Sequence, residues 1–470
     1  MAKQKRKNPA TKDILVQRFE QMLAEDTLVF FDLHEFEHII DYYKVHSQWR
    51  RALKACETAL AQYPFASELE IEKVQIWLHM RKYRQALEQI EKLIEHNIPL
   101  NELLVLQAYA LVGLNQFSQA IKSLLKVLDY SEEKEEIHYQ IAALYVRSGK
   151  IQQSLPHFFE VLRLNPDNTD ALLELVDALI TLYRTTEGKQ FFEAQIDNNP
   201  ENFRLWRNAG IFFNATGRFH KAIDMFEYAL ALHEADFLTW YYLGHAQMNV
   251  ERYEDAQTSY HTAIGLKQQT GAVDPEMYCC LAATYEKRKH YDKASQLYRK
   301  AIHMDERCAN GWWGIGICLI RRERWYEAIN FLKKAVQLDS ECEPYWLALA
   351  EAEAKTGNIV SAIEAYQHAS HLNPANPQTW LDWSEIYREQ GDYAQAITLL
   401  KDALEECPSA ADLYYRLCVY CIEAGKYKQS FAYLENALIL DFDRHTVLYE
   451  WIEDINIQKT LFKIISQYQR

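Results

Sequence analysis

The sequence predicts an all-α protein built as a solenoid of stacked helical hairpins, and three observations predict it. Turn formers are scarce: 14 glycines and 11 prolines in 470 residues leave long helices joined by short loops. Hydrophobic residues make up 49%, with 30 tyrosines and 11 tryptophans, so the chain has ample apolar surface to bury. Large residues also recur on a fixed period. Trp206 and Trp240 stand 34 residues apart, as do Trp312, Trp346 and Trp380, while Trp240 to Trp312 is two periods plus four.

The same pattern surrounds each tryptophan. One stretch carries Trp240, Leu243, Gly244, Tyr253, Ala256, Tyr260 and Ala263; another carries Trp312, Ile315, Gly316, Trp325, Ala328, Leu332 and Ala335. These residues resemble the tetratricopeptide repeat, with its W-x2-L-G-x2-Y, then A-x3-F, then A and P at 34 residues. Twelve repeats register, starting at Leu33, Ser67, Asn101, Glu135, Thr169, Phe203, Phe237, Pro275, Ala309, Glu343, Pro377 and Ala411. The twentieth position holds alanine at Ala52, Ala86, Ala120, Ala222, Ala256, Ala294, Ala328, Ala362 and Ala396, serine at Ser154 and Ser430, and glycine at Gly188. Small residues there and at the eighth position let two helices approach, and stacked neighbours bury what one hairpin cannot. The resemblance implies a right-handed superhelix of about twelve hairpins, a long, all-repeat cytoplasmic protein of bacterial type.

Taken along the chain, residues 1–12 form a basic tail with five basic residues and no acid. Residues 13–32 are patterned as a leading helix through Ile14, Leu15, Phe19, Met22 and Leu23. Seven repeats follow over 33–274 and five over 275–444. Four extra residues separate the two arrays, where Gly265, Gly271 and Pro275 predict an interrupted helix and a longer loop in preference to a hinge. The fifth repeat departs most from the pattern, with Gly188 and Gln195 in place of alanines, which predicts looser packing. Residues 445–470 read as a helix capping the last hairpin. In "NGWWGIGICLI", Gly316 is the expected close-contact residue. Gly311 and Gly314, each costing about 1 kcal/mol against alanine in a helix, find no reason in the pattern except close approach of another chain.

Composition excludes several classes of function. Without the tail, the body carries 46 basic against 66 acidic side chains, which repels nucleic acid. No apolar run reaches the length of a membrane span, and no hydrophobic stretch follows the N-terminal charges. Nine cysteines, an odd number without a secretion signal, suit reduced thiols in a cytoplasmic protein.

Two motifs carry potential chemistry. "HEFEH", His34 to His38, matches the H-E-x-x-H of zinc hydrolases, but Phe36, Ile39 and Tyr43 already account for it as a packing helix and no third ligand is nominated. "CVYC" (Cys418, Cys421) falls on repeat positions eight and eleven, which face the interior. The sequence therefore points to no enzyme, no metal and no cofactor.

The resemblance implies that positions two, five, nine and twelve of the first helices line a concave groove. Those positions are largely apolar, which suits a protein or peptide partner. Arg204, Arg207, Asn208 and Asn214 form the polar and basic patch of that face, and Tyr109, Tyr139, Tyr241, His245 and Trp313 are the aromatic contact candidates. The expected role is a noncatalytic interaction scaffold; the alternatives are self-assembly through the same groove and, behind it, a metal-dependent hydrolase using His34, Glu35 and His38.

Overall fold

The computed structural model describes residues 14–468, apart from 26, 28, 96–99, 129 and 453. The basic tail lies outside the described residues, as does the first residue of the leading segment. Among the described residues the protein is all-α, an array of paired helices with no strand. It divides into two compact units, residues 1–221 and 222–470.

The first unit opens with α1 (Ile14–Glu25), then α2 (Leu33–Val45), α3 (Trp49–Gln62), α4 (Ser67–His79), α5 (Tyr83–Glu95) and α6 (Leu100–Gly113). It continues with α7 (Phe117–Leu128), α8 (Lys134–Arg147), α9 (Ile151–Leu164), α10 (Thr169–Thr181), α11 (Thr185–Asn198) and α12 (Phe203–Ala215). The boundary between units falls in the first turn of α13 (Phe219–Leu232). In the second unit follow α14 (Phe237–Asn249), α15 (Tyr253–Thr270), α16 (Pro275–Lys287), α17 (Tyr291–Met304), α18 (Ala309–Ile320), α19 (Trp325–Leu338), α20 (Glu343–Lys355) and α21 (Ile359–Leu372). The last are α22 (Pro377–Glu389), α23 (Tyr393–Glu406), α24 (Ala411–Glu423), α25 (Tyr427–Leu440), α26 (Val447–Trp451) and α27 (Ile455–Tyr468). Within each unit a helix packs on the next, and first helices of successive repeats also touch, as α4 does α6 and α16 does α18.

Three devices repeat. All nine pattern alanines at the twentieth position are fully buried, as is Ser154, so the helices meet backbone to backbone at that level. The turn between paired helices takes one residue in the left-handed region at the fifteenth position. Glycine supplies it at Gly149, Gly217, Gly357, Gly391 and Gly425, whereas Ser47, Arg81, Asn115, Tyr183, Glu251, Lys289 and Glu323 adopt it with φ between 55° and 62°. The fourth-position tryptophan fills space and also ties the preceding turn: the indole N–H of Trp206, Trp240, Trp312, Trp346 and Trp380 donates to the carbonyl six residues back, at 2.8–3.0 Å. In the twelfth repeat Tyr414 makes the corresponding bond to Pro408 O at 3.2 Å.

Several sequence expectations change. The insertion is not a longer loop: α15 runs unbroken through Gly265 to Thr270, and Gly271 ends it. The extra four residues add about one helical turn to α15. The closing segment is two helices, α26 and α27, after a 3-10 turn at Asp443–Thr446; Leu448, Ile452, Leu461 and Ile465 bury against the last hairpin. The fifth repeat is looser between its own two helices, as expected: α10 and α11 approach each other less closely than the helices of most other hairpins, and a ring from the next repeat covers the gap. A Cβ on Gly188 would lie 2.6 Å from Phe212 Cε2 and 2.7 Å from Leu179 Cδ1, so a phenyl ring occupies the space an alanine methyl takes elsewhere. Gly311 and Gly314 are explained by the chain itself. The Tyr298 ring on α17 lies against Gly314, and Ile302 Cγ1 would stand 2.8 Å from a Cβ on Gly311. At Gly316 the neighbour is Leu332 Cδ2, 2.5 Å from where a Cβ would be.

Candidate functional site

The first helices place positions nine and twelve on one face, and in the first unit that face holds a concavity. Gln75, Leu78, Leu106, Tyr109, Val112 and Arg147 are among the residues that line a cavity of about 730 Å³. Tyr109, at the ninth position of the third repeat, is 56% exposed there, although a tyrosine ring gains by burial. The Arg147 guanidinium lies 5.1 Å from the Phe117 ring centre, which holds its position beside the cavity. Tyr139 is half-buried, with its ring 6.4 Å from Phe158, and burial raises its hydroxyl pKa.

The polar patch of α12 is organised differently from a free basic surface. Arg204 Nε lies 2.5 Å from Asp167 Oδ2, and Arg207 Nη2 donates to Asp167 Oδ1 at 3.1 Å. Asn208 Nδ2 donates to Pro166 O at 2.6 Å. Arg207 and Asn208 are buried, so these three side chains hold the turn between α9 and α10. Arg207 is buried but Asp167 is exposed, so solvent screens this charge-assisted pair in part. Asn214, in the last turn of α12, is half-buried.

In the second unit the aromatic candidates pack on one another. Tyr241 and His245 meet edge to face at 4.6 Å, and Tyr260 stands 5.5 Å from His245. The Tyr241 hydroxyl lies 3.5 Å from Cys280 Sγ. Desolvation pushes the His245 pKa down to about 4, so the imidazole is neutral at physiological pH. Trp313 is half-buried against Tyr345, 5.9 Å between ring centres.

The two chemical motifs are absorbed by structure. Glu35 of "HEFEH" accepts from the Asp32 backbone N–H at 2.9 Å and completes a capping box at the start of α2. His34 is exposed and pairs with Glu37 at 2.9 Å; that hydrogen bond raises its pKa. Cys418 and Cys421 are fully buried, with Cys418 Sγ 3.2 Å from Ser430 Oγ. Sequence reasoning missed one group. Glu276 and Cys279 on α16 meet Cys308 at the start of α18. Its signal was available: Cys308 occupies the helix-capping position that Asn168, Asn202, Asp236, Asp274 and Asn376 fill in other repeats.

The family model for the Cilia and flagella-associated protein 70 C-terminal domain matches residues 215–446. With that match, the regular helix pairs and their 34-residue devices leave one assignment. The chain belongs to the tetratricopeptide repeat superfamily. Among curated proteins, this tetratricopeptide chain is 24% identical over 185 residues to the BBSome complex member BBS4 of Bos taurus. The match takes in 37% of this chain, and the chain spans only a third (33%) of that relative's length. Among solved structures, it is similar to the APC/C hetero-tetramer Cut9–Hcn1, with 13% identity, 88% of this chain and 92% of that chain covered, and a TM-score of 0.45. YrrB, described as a TPR protein with an unusual peptide-binding site, is 18% identical over 40% of this chain and 95% of its own, with a TM-score of 0.30.

Proposed function

We propose that the chain is a noncatalytic protein–protein interaction scaffold that receives a peptide or helical segment of a partner on its first-helix face. The observation that carries this reading is the concavity around Tyr109, whose apolar lining residues Leu78, Leu106 and Val112 and exposed tyrosine suit an inserted apolar side chain. Docking on a face preformed by packed helices costs the receptor little ordering. BBS4, similar over part of its length, is a member of a protein complex, which fits an interaction role. Among the described residues no helix is long and apolar enough to cross a membrane, and a cytoplasmic location is part of this proposal. Of the sequence-nominated contacts, Tyr109 and Tyr139 belong to the proposed surface of the first unit and Tyr241, His245 and Trp313 to that of the second. Arg204, Arg207, Asn208 and Asn214 are proposed to shape the first unit's face from behind.

A photoreactive amino acid placed at Tyr109, and for comparison at Tyr326, which is 73% exposed on a second helix, tests this in the native cell. The expected result is a crosslinked partner peptide from position 109 that is absent from position 326. Identical adducts from both positions, or none from either, overturn the reading, and crosslinks from 109 only to a second copy of the chain replace it with self-assembly.

A further inference from the structure

We propose that Glu276, Cys279 and Cys308 form a binding site for a thiophilic divalent cation of the zinc type, joining the eighth and ninth repeats. Their ligand atoms all lie within 4.8 Å of one another. Cys279 Sγ and Cys308 Sγ are 3.6 Å apart, and Cys308 Sγ is 4.0 Å from Glu276 Oε2. A tetrahedral zinc with bonds of about 2.3 Å to sulfur and about 2.0 Å to oxygen requires edges of about 3.8 Å between sulfurs and about 3.5 Å between sulfur and oxygen. The two distances that involve Cys308 lie within about 0.5 Å of those edges. Three protein ligands leave a fourth position for water.

One further observation supports the assignment, the orientation of the carboxylate. Asn310 Nδ2 donates to Glu276 Oε1 at 2.7 Å and is itself held by the Tyr345 hydroxyl at 2.7 Å, leaving Oε2 turned to Cys308. In the fourth and tenth repeats the glutamates one position earlier hold asparagines of the next turn, Glu135 on Asn165 and Asn168 and Glu343 on Asn373 and Asn376. Glu276, at the second position of its repeat, instead takes Asn310 as an outer partner that aims its other oxygen at Cys308.

The test uses the full chain, reduced and stripped of metal, titrated with Co2+ and then Zn2+. The expected outcome is one Co2+ per chain with thiolate-to-cobalt charge transfer and a tetrahedral d–d spectrum, displaced by Zn2+, which also raises the melting midpoint. Cys279→Ser and Cys308→Asn should each weaken Zn2+ binding by on the order of 100-fold, and Asn310→Ala by about tenfold. Cys342→Ser, at the corresponding cap of the next repeat, should leave it unchanged. Cys308→Asn guards against a folding artefact, because it restores the cap used elsewhere and should raise the metal-free melting midpoint while abolishing the cobalt spectrum. An octahedral spectrum without sulfur charge transfer, undiminished affinity in Cys279→Ser and Cys308→Asn, or a reduced chain that binds no Zn2+ overturns the site. So does quantitative Cys279–Cys308 disulfide formation in air that persists with Zn2+ present, since the pair would then be a redox couple.

Discussion

The fifth repeat of the first unit and the ninth of the second break the same rule in opposite ways. In the fifth, the residue that should be small but present, an alanine on the second helix, is Gly188. In the ninth, three glycines crowd the first helix at Gly311, Gly314 and Gly316. Both look like weak points from sequence, and in both a ring covers the glycine. Phe212 fills the space over Gly188, within a run of rings in which Phe192 and Phe212 are 5.1 Å apart and Phe159 and Phe191 4.5 Å. Tyr298, 2% exposed, lies on Gly314, with its hydroxyl 3.3 Å from Glu286. The difference lies in where the large partner comes from: the following first helix in one case, the preceding second helix in the other. These two departures from the repeat pattern are therefore exchanges of volume between neighbours.

The largest test of that equivalence removes the rings. Phe212→Ala and Tyr298→Ala should each cost about 3–5 kcal/mol, read as the shift in the urea midpoint of the unit concerned. Gly188→Ala alone should cost about 1–3 kcal/mol by overpacking, but little in a Phe212→Leu background, where the added methyl enters vacated space. The coupling between the two sites is expected at about 0.5–3 kcal/mol. If the costs of Gly188→Ala and Phe212→Leu simply add, the exchange of volume is not what sustains the fifth repeat.

That exchange marks the limit of what could be read in the chain alone. Tryptophan spacing and the alanines from Ala52 to Ala396 gave the helix pairs and their register, because a 34-residue hairpin with one small contact position has few other solutions. The pairing of Gly188 with Phe212, 24 positions apart and in different repeats, is not periodic, so no repeat pattern announces it. The candidate surface was legible only in part. Register placed Tyr109 on the first-helix face, but nothing in the composition distinguishes its exposure from the burial of Arg207 and Asn208, which depends on Asp167 and Pro166 in the preceding turn. The extra turn on α15 was misread because glycine is a turn former on average, whereas Gly265 lies in open helix with neighbours on both sides to carry it.

A smaller effect separates the two regions by acid. Next to the fifth repeat, on α9, His157 Nδ1 lies 2.9 Å from His138 Nδ1, a contact that holds a single proton between two nitrogens. Desolvation, aided by the charge of His138, lowers the His157 pKa to about 4. The unfolded ring titrates near 6.5, so the neutral pair contributes fully above that value; stability is lost as pH falls from about 6.5 towards about 4. Part exposure of the ring reduces the full linkage to about 1–2 kcal/mol. His157→Asn should therefore flatten the melting midpoint of the first unit between pH about 6.5 and about 4.5 relative to wild type, with no change above it. An unchanged slope would mean that the acid response belongs to the carboxylates and that the two regions titrate alike.

The smallest effect asks whether the two repeats are equivalent in their turns as well. Tyr183 (φ 55°) and Glu323 (φ 60°) close the fifth and ninth hairpins in the left-handed region, where five other hairpins place glycine. A side chain in that region costs about 1–2 kcal/mol, while glycine gives back about 0.4–1 kcal/mol through the greater freedom of its unfolded chain. Tyr183 is 94% exposed, so its ring contributes no burial to set against the strain. Tyr183→Gly and Glu323→Gly should each raise stability by about 0.5–1 kcal/mol, visible as a later urea midpoint in the matching unit. Equal gains would show that the turn is a local unit, strained alike wherever glycine is missing. A loss at Tyr183 with a gain at Glu323 would give the exposed tyrosine a contact of its own, and the fifth hairpin would then differ from the ninth in its turn as well as in its core.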